Sequence, residues 1–348
     1  MGSGLTGGLT GGLTGEIAAL SAAFLWAAAT LMFGHIGRQL APVVLNMAKG
    51  LFALFFLIVT LGAQVALTPR SELTGFSVLS LPGLSIVYLL FSGAIGIGLG
   101  DTAYFSAINF LGARRALLLE TLAPPISAVL AWIFLAERLP LTAVLGIGLT
   151  LLGVAWVISE RVPGARMSTS AWGMGLGAAL VAVFCQAAGA VLSRAALADT
   201  VVDPLWSTLI RLIAGLFFMA VSVMVRPQQL GNYQVSDYKD PSIEADIFAG
   251  KAGDWQTRWQ KSAIALRKPR LIFSVAMVAF FATYLGIWLQ QVALKYAATG
   301  VAQALLATSP LFVLPMAKVL GDRISWRSAG GAAIALSGVW LLLYVRPL

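Results

Sequence analysis

Long apolar segments, separated by shorter polar ones, run through nearly the whole of this 348-residue chain. A helix needs about 20 mainly apolar residues to cross the hydrocarbon core of a membrane, and ten segments come close to or exceed that length. Backbone groups in lipid must be hydrogen-bonded internally, so each segment is expected to be a helix and the fold all-α. The ten predicted transmembrane spans are residues 16–35, 42–66, 82–109, 112–135, 141–158, 172–195, 204–225, 271–295, 298–319 and 327–345.

The composition indicates the same class of protein. Hydrophobic residues make up 59% of the chain and charged residues 11%, whereas soluble domains have roughly 45–50% and 25%. A net charge of +9 would suggest nucleic acid for a soluble protein, but most Lys and Arg here lie between apolar spans. Membrane topology and anionic lipid explain that placement. We therefore expect the lipid bilayer, and no nucleic acid, as a partner.

The two halves of the chain repeat one another. Residues 136–156 read AERLPLTAVLGIGLTLLGVAW and align with GDRISWRSAGGAAIALSGVWL at residues 321–341, with two glycines in register. Lys49 in the second predicted span aligns with Arg211 in the seventh. An odd number of helices in each copy forces the second copy upside down in the membrane. Inverted repeats around a site at the midplane are typical of secondary transporters.

The repeat predicts four consecutive parts of the chain. A flexible Gly-rich tail, a first five-helix repeat, a linker and a second five-helix repeat are expected at residues 1–15, 16–158, 159–171 and 172–346, respectively. The second repeat contains a polar insertion at residues 226–270, with eight Lys or Arg and five Asp or Glu residues. This insertion is the one long polar segment of the chain.

One stretch in each half resembles a known family. Residues 99–158 read LGDTAYFSAINFLGARRALLLETLAPPISAVLAWIFLAERLPLTAVLGIGLTLLGVAWVI, and residues 293–342 hold a looser copy, ALKYAATGVAQALLATSPLFVLPMAKVLGDRISWRSAGGAAIALSGVWLL. Both resemble the EamA domain of the drug/metabolite transporter superfamily. The resemblance implies ten helices in two inverted EamA-like repeats. It also implies secondary transport of small metabolites, often the export of amino acids or related compounds.

The resemblance extends to single residues. The family has a basic residue at the two positions where Lys49 and Arg211 stand in this chain. Its tryptophan in the first helix matches Trp26. The counterpart of Trp26 in the second half is Gln186, which departs from the family pattern. That departure implies an asymmetric site.

Two acidic residues lie inside predicted spans, where a charge costs roughly 2.5–3.5 kcal/mol at the centre on insertion scales. Asp101 follows a glycine run late in the third span, and Tyr104 shares its helix face. Glu120 lies one turn before Pro124 in the fourth span, and the proline leaves a backbone carbonyl free. Either carboxylate is a candidate to bind a proton or a cationic amine. Alternatively, Asp101 caps a backbone break and Glu120 pairs with Lys49 or a nearby arginine.

The basic residues inside spans have two interpretations. Lys49 and Arg211 each lie about seven residues into a span, or about 10 Å deep at 1.5 Å per residue. From that depth a long side chain can extend back to the interface. The two residues are therefore either structural or in contact with a substrate carboxylate. Glu137 and Asp322, which match acidic positions of the family, lie at helix ends and are expected to cap helices or pair at the interface.

A polar and aromatic stripe in the eighth span completes the candidate site. Tyr284, Trp288 and Gln291 recur at i, i+4 and i+7, so they share one face of a helix. An aromatic and amide lining suits a small zwitterion or amine, because aromatic faces attract cations. Helix packing is the alternative for each aromatic residue. The remaining candidates for the lining of the cavity are Trp26, Gln186 and Gln303.

The sequence contains no recognisable catalytic motif. It lacks HExxH, Walker A and GxSxG patterns, and it has one histidine and one cysteine. A His/Cys metal site or a Cys–His catalytic pair is therefore not expected, nor is a cofactor, and the chain is predicted not to be an enzyme. A membrane-embedded enzyme or a non-transporting receptor remains the alternative class.

These observations predict a secondary transporter that exports small polar or amphipathic metabolites by alternating access. Its expected partners are a small-molecule substrate and protons, because the sequence holds no ATP site and a gradient must supply the energy. We expect it in the cytoplasmic membrane of a bacterium.

The orientation of the spans stays open. Excess Lys and Arg mark the cytoplasmic side of a membrane protein. Loops on the side of the termini hold five Lys or Arg, and loops on the other side hold sixteen. The charge count thus places the termini outside, whereas the resemblance places them in the cytoplasm.

Overall fold

The computed structural model describes residues 7–36, 40, 42–67, 81–111, 116, 119–159, 169–225, 262, 264–319 and 326–344. This part of the chain is helical and contains no strand. Its helices are α1 (Gly7–Ile36), α2 (Pro42–Leu67), α3 (Gly83–Ser92), α4 (Asp101–Leu111), α5 (Ala123–Leu135), α6 (Leu141–Ser159), α7 (Thr169–Leu197), α8 (Pro204–Val225), α9 (Pro269–Val278), α10 (Gly286–Tyr296), α11 (Thr299–Leu306), α12 (Ser309–Val319) and α13 (Trp326–Tyr344). Two π-helical segments complete the list, Gly93–Gly100 between α3 and α4 and Ala279–Leu285 between α9 and α10.

The helices confirm a multi-pass membrane protein. Five stretches are long and apolar enough to cross a membrane, namely Val43–Leu67, Gly83–Ile108, Trp172–Leu197, Pro204–Met224 and Pro269–Tyr296. The shorter apolar helices are Leu13–Ala29, Ala123–Leu135, Leu141–Trp156 and Gly330–Leu342. Each of these stretches overlaps a different predicted span. The count of ten spans stays a prediction.

Small side chains pack inside this fold and large apolar ones face outward. Ala19, Ala22 and Ala27 of α1 are fully buried, whereas Phe55 of α2 and Phe217 of α8 are 60% and 70% exposed. Small residues let helix backbones approach one another in a membrane. Lipid can cover the large apolar side chains, so their exposure is expected of transmembrane helices.

The chain becomes helical earlier than the sequence predicts. Helix α1 begins at Gly7, so residues 7–15 of the predicted flexible tail belong to it. A Cβ atom at Gly15 would lie 2.8 Å from the Cβ atom of Ala297, which shows that the chain packs closely against the end of α10. This tertiary contact holds a segment that composition alone marks as loose. Most of the predicted linker and of the polar insertion lies outside the described residues.

The two π-helical segments occupy equivalent places in the two halves. The first begins at Gly93 and the second at Ala279, 186 residues further on. Each lies in the middle of a long span and continues directly into an α-helix, α4 or α10. π-helical turns are rare and occur often at functional sites. Their recurrence at one offset supports the internal repeat.

A glycine-mediated crossing of α6 and α13 shows the relation between the halves. A Cβ atom at Gly153 would lie 2.5 Å from the carbonyl oxygen of Gly331, and one at Gly338 would lie 2.7 Å from that of Gly146. Gly146 aligns with Gly331 in the repeat, and Gly153 aligns with Gly338. Exchanging the two halves therefore turns one contact into the other. Contacts that map onto each other in this way indicate a two-fold relation between the halves.

The remaining helix contacts follow the same exchange. Helix α1 packs against α10, α11 and α12 of the second half, and α7 packs against α3, α4 and α5 of the first half. Helix α2 contacts the second π-helical segment, and α8 contacts the first. The first helix of each half therefore packs against the middle helices of the other half. The middle helices of both halves surround a shared interior.

Candidate functional site

A cavity of about 250 Å³ lies at the contact between the two halves. Helices from both halves line it, including α1, α2 and α4 from the first and α7, α8 and α10 from the second. Its polar or charged lining residues include Trp26, Lys49, Asp101, Tyr104, Glu120, Thr121, Gln186, Arg211, Thr283, Gln290, Gln303 and Ser309. The charged side chains that the sequence places inside spans therefore line this cavity.

Most of the side chains singled out from the sequence lie around this one cavity. The candidates in its lining are Trp26, Lys49, Asp101, Tyr104, Glu120, Gln186, Arg211 and Gln303. They come from seven separate stretches of chain, and the packing of the two halves against each other brings them together.

The stripe expected from the eighth span forms, but it faces away from the cavity. Tyr284 shares a hydrogen bond with Thr60 of α2, with 2.7 Å between the two oxygens. The hydroxyl of Ser207 on α8 donates to Oε1 of Gln291 at 2.8 Å. Trp288 packs with Tyr284 in the same apolar cluster. These side chains hold α10 and the second π-helical segment against α2 and α8.

The neighbouring stripe lines the cavity instead. It consists of Thr283, Ile287 and Gln290, each one residue before a member of the expected stripe. Both stripes have the i, i+4, i+7 spacing. The spacing therefore predicts that the helix has a polar face, but it does not tell which of the two neighbouring faces points to the cavity. Residues 279–295 are all buried or half-buried, so no exposed face marks the direction of the interior.

An ion pair between the buried Lys49 and the half-buried Asp101 joins α2 to the start of α4. Nζ of Lys49 lies 2.7 Å from Oδ2 of Asp101, and it also lies 4.9 Å from the ring centroid of Phe105. Asn46, one turn earlier on α2, donates to the carbonyl of Ile97 at 3.1 Å in the first π-helical segment. The middle of this segment and the residue that follows it are thus bound to α2, and the Lys49 side chain points into the cavity rather than back to the interface.

The second buried cation has no carboxylate partner. Arg211 is 2% exposed, and no Asp or Glu oxygen of the described residues lies within 4.0 Å of its guanidinium. Its Nη1 is 3.5 Å from Oε1 of Gln290, at the limit of a hydrogen bond. Its Nε has no hydrogen-bond partner within the described part of the chain. A guanidinium held in this way keeps donors available to the cavity.

Glu120 sits at a break in the fourth span. A turn at residues 121–122 follows it, and α5 begins at Ala123 with Pro124 in its first turn. Proline is well accommodated there, because the first turn of a helix has no use for its missing N–H. The Tyr104 hydroxyl interacts with the Glu120 carboxylate across the cavity wall. In the alternative interpretation Glu120 pairs with Lys49 or a nearby arginine; Lys49 pairs with Asp101 instead, and Arg114 and Arg115 lie outside the described residues.

Trp26 and Gln186 occupy equivalent positions with different contacts. Nε1 of Trp26 donates to the carbonyl of Ala282 in the second π-helical segment at 2.9 Å. Gly286 is required beside it, because a Cβ atom there would lie 2.4 Å from that nitrogen. Gln186 lines the cavity near the first π-helical segment. The amide Nε2 of Gln303, which is 3% exposed, has no partner among the described residues.

A second ion pair lies outside the cavity. Oε1 of Glu137 is 2.7 Å from Nε of Arg194, and its Oε2 accepts the backbone N–H of Thr299 at 2.9 Å. Glu137 thus caps the start of α11 and links it to α7, which is the structural role expected for it. Its counterpart Asp322 lies outside the described residues. Across the described chain, no group of three His, Cys, Asp or Glu side chains is arranged to hold a metal.

Comparisons with known proteins agree with this architecture. The sequence model of the EamA-like transporter family matches residues 13–159 and 252–344. A solved structure described only as a crystal structure of a protein has a TM-score of 0.65 to this chain at 16% identity, over 94% of this chain and 95% of that one. Such a likeness shows the fold alone. A search of curated proteins found no match. The family match covers more than half of the sequence and confirms the resemblance, so the chain belongs to the EamA-like transporter family.

Proposed function

We propose that this protein is a secondary transporter that exports small polar or amphipathic metabolites, such as amino acids, amines or related compounds, by alternating access. The observation that carries the proposal is the cavity between the inverted halves, with its buried cations and carboxylates. Lys49, Asp101, Glu120 and Arg211 all face this one space. Ionisable side chains inside membrane spans are rare and mark pathways for substrates or ions.

The size and lining of the cavity support a small amphipathic solute. Drug-sized ligands occupy pockets of roughly 300–1,000 Å³, and this cavity of about 250 Å³ is smaller. Trp26, Tyr104 and Phe105 contribute aromatic surface, and Gln186 and Gln303 contribute amide groups. Aromatic faces attract cations, so the lining suits a molecule that combines an apolar part with a charged group.

A gradient is the proposed energy source. The sequence contains no Walker A motif, so ATP hydrolysis within this chain is not part of the mechanism. The Glu120 carboxylate, which lines the cavity beside Tyr104, is the proposed carrier of a coupling proton. Asp101 is the second candidate, but its ion pair with Lys49 would have to open first.

The inverted halves supply a means of alternating access. In transporters of this architecture, one bundle rocks against the other around a fixed central site. Here the exchanged helices α1 and α7 contact the middle helices of the opposite half. A tilt of these helices would open one end of the cavity as it closed the other.

A metabolite screen tests the proposal. Cells with and without the protein are compared for the small molecules that they export and retain, at matched amounts of total membrane protein. We expect a small set of amphipathic metabolites to fall inside the cells and rise in the medium when the protein is present. Chemical conversion of a metabolite without net movement would indicate an enzyme, and no change in either compartment would contradict the proposal.

A further inference from the structure

The two buried cations of the cavity differ in their partners. Lys49 forms a 2.7 Å ion pair with Asp101. Arg211, which the repeat places at the equivalent position on α8, forms no ion pair with any described residue. Both side chains are more than nine-tenths buried, with 6% and 2% exposure. The difference therefore does not come from one cation being solvated.

The internal repeat explains why Arg211 lacks a counter-ion. The π-helical segments begin at Gly93 and Ala279, and the same offset aligns Asp101 with Ile287. Ile287 lines the cavity, as Asp101 does, and it is 6% exposed. The second half thus has an isoleucine where the first half has the carboxylate that neutralises the cation. Asp101 attracts the charge of Arg211 from a longer distance, but no carboxylate of the described residues lies in ion-pair contact with it.

The guanidinium of Arg211 has hydrogen-bond donors that the described residues leave unused. Its Nη2 packs against Gly96, where a Cβ atom would lie 3.3 Å away, so the glycine lets the side chain extend along the cavity. Gln290 approaches Nη1 at 3.5 Å, and Nε has no partner within the described residues. The planar fork of a guanidinium matches the two oxygens of a carboxylate. An unpaired buried charge is costly, and a bound carboxylate would remove that cost.

We propose that Arg211 binds a carboxylate of the transported solute, which takes the place that Asp101 occupies beside Lys49 in the other half. The inference rests on the proposed transport function and narrows its substrate class to carboxylate-bearing metabolites, with amino acids as the leading example. Lys49 is then the structural member of the pair and Arg211 the binding member. An amine without a carboxylate would leave Arg211 unpaired and bind weakly.

The test introduces a carboxylate into the protein at the position equivalent to Asp101. In the variant Ile287→Asp the new side chain occupies the position of the solute carboxylate, and Ile287→Asn is the matched neutral control. Binding of each of the twenty standard L-amino acids to purified protein is measured by the shift in its unfolding temperature and by competition with the tightest radiolabelled one. The amide and the decarboxylated amine of that amino acid complete the set of probes.

We expect the wild-type protein to bind an amino acid about 10- to 100-fold more tightly than its amide, as a hydrogen-bonded charge contact of about 1.5–3 kcal/mol implies. Ile287→Asp should bind that amino acid about 10-fold or more weakly than Ile287→Asn, because the two side chains have the same shape and only the Asp neutralises Arg211. Without any ligand, Ile287→Asp should unfold at a higher temperature than Ile287→Asn, because it pairs Arg211.

Several results would overturn the inference. They are equal binding of the amide and the acid, failure of every amino acid to bind, full affinity in Ile287→Asp, and lower stability of Ile287→Asp than of Ile287→Asn. The proposed transport function has a separate outcome. Export of an amine that Ile287→Asp leaves unchanged would preserve that function and refute the carboxylate site.

Discussion

Four charged side chains meet in the cavity, and their pairing divides them into two kinds. Lys49 and Asp101 satisfy each other across α2 and α4. Glu120 interacts with the neutral hydroxyl of Tyr104, and Arg211 with the neutral amide of Gln290. A paired charge mainly holds helices together, whereas a charge with only neutral partners is available to a solute or a proton.

The ion pair leads to a prediction on stability. Replacing Asp101 with Leu should lower the free energy of unfolding by about 3 kcal/mol, because it leaves the Lys49 charge buried and unpaired. The double variant K49M/D101L removes both charges and should recover most of the loss. Unfolding titrations in mixed micelles measure both values. Equal stability of the single variant and the wild type would contradict a structural role for the pair.

The carboxylates lead to a prediction on transport. Glu120→Gln and Asp101→Asn keep the shape of each side chain and remove its charge. At least one of them should abolish uptake into reconstituted vesicles or change its dependence on pH, because a fixed amide cannot exchange a proton. Glu16→Gln is the control, since Glu16 is buried on α1 but does not line the cavity. Normal uptake by both variants at every pH would rule out the proton or amine role.

Single residues show how far sequence reasoning extends to this site. Asp101, Glu120 and Arg211 stand out because a charge inside an apolar span needs a reason. Their partners do not stand out, because the ion pair with Asp101 depends on how α2 packs against α4. Gln291 of the predicted stripe and Gln290 of the cavity lining fit the same helical spacing, so the spacing does not decide which of them faces the cavity. Which face of a buried helix points to the cavity depends on how the helix packs, and not on the spacing of its polar residues.

Two kinds of helix element make the central packing possible. Glycines allow α6 and α13 to cross with their backbones in contact, as small residues do in membrane helix pairs. The π-helical segments widen the long spans beside the cavity and end where Asp101 and Gly286 begin the next α-helices. The π-helical segments thus set the position along each span at which the side chains beside the cavity lie.

The crossing of α6 and α13 gives a prediction with a control in the same helix. Gly153→Val should lower the free energy of unfolding by about 1–3 kcal/mol, because overpacking forces the neighbouring helix to move. A Cβ atom at Gly153 would lie 2.3 Å from the backbone nitrogen of Ala335, whereas one at Gly148 would meet nothing within 4 Å. Gly148→Val should therefore be tolerated. Folded yield and unfolding temperature are the measurements, and similar values for the two variants would contradict this packing.

Spans could be predicted from the sequence, but their internal breaks could not. Hydropathy locates apolar stretches, and the family resemblance adds their order. The π-helical segments have no such signal, since the first is rich in glycine and the second is AFFATYL. The early start of α1 depends on the contact of Gly15 with Ala297, which no local pattern reveals.

At the scale of the whole molecule, the exchange of first helices ties the two halves into one unit. Helix α1 completes the second half and α7 completes the first. This arrangement accounts for a cavity whose walls come from both halves. The fold is shared with a solved structure at 16% identity. A fold supports many functions, so the substrate has to be inferred from the side chains in the cavity.

The number of spans is open to a direct test. Cys185 is the one cysteine of the chain and is buried, so a Cys185→Ser background has no thiol. Cysteines introduced one at a time by Ser3→Cys and Leu348→Cys are treated with a membrane-impermeant maleimide on intact cells. Ten spans predict that both sites are labelled or that neither is. Labelling of one alone would require an odd number, and the labelled side also decides between the charge count and the family resemblance.

Counterflow in liposomes tests the central claim most directly. Purified protein is reconstituted into liposomes loaded with one unlabelled amino acid or amine at a time, and entry of the same radiolabelled compound is followed without any gradient of ions or ATP. The account predicts transient accumulation of at least one carboxylate-bearing metabolite above the level in protein-free liposomes, and its loss in Ile287→Asp but not in Ile287→Asn. Uptake equal to that of protein-free liposomes for every compound, from protein that circular dichroism shows to be folded, would contradict it.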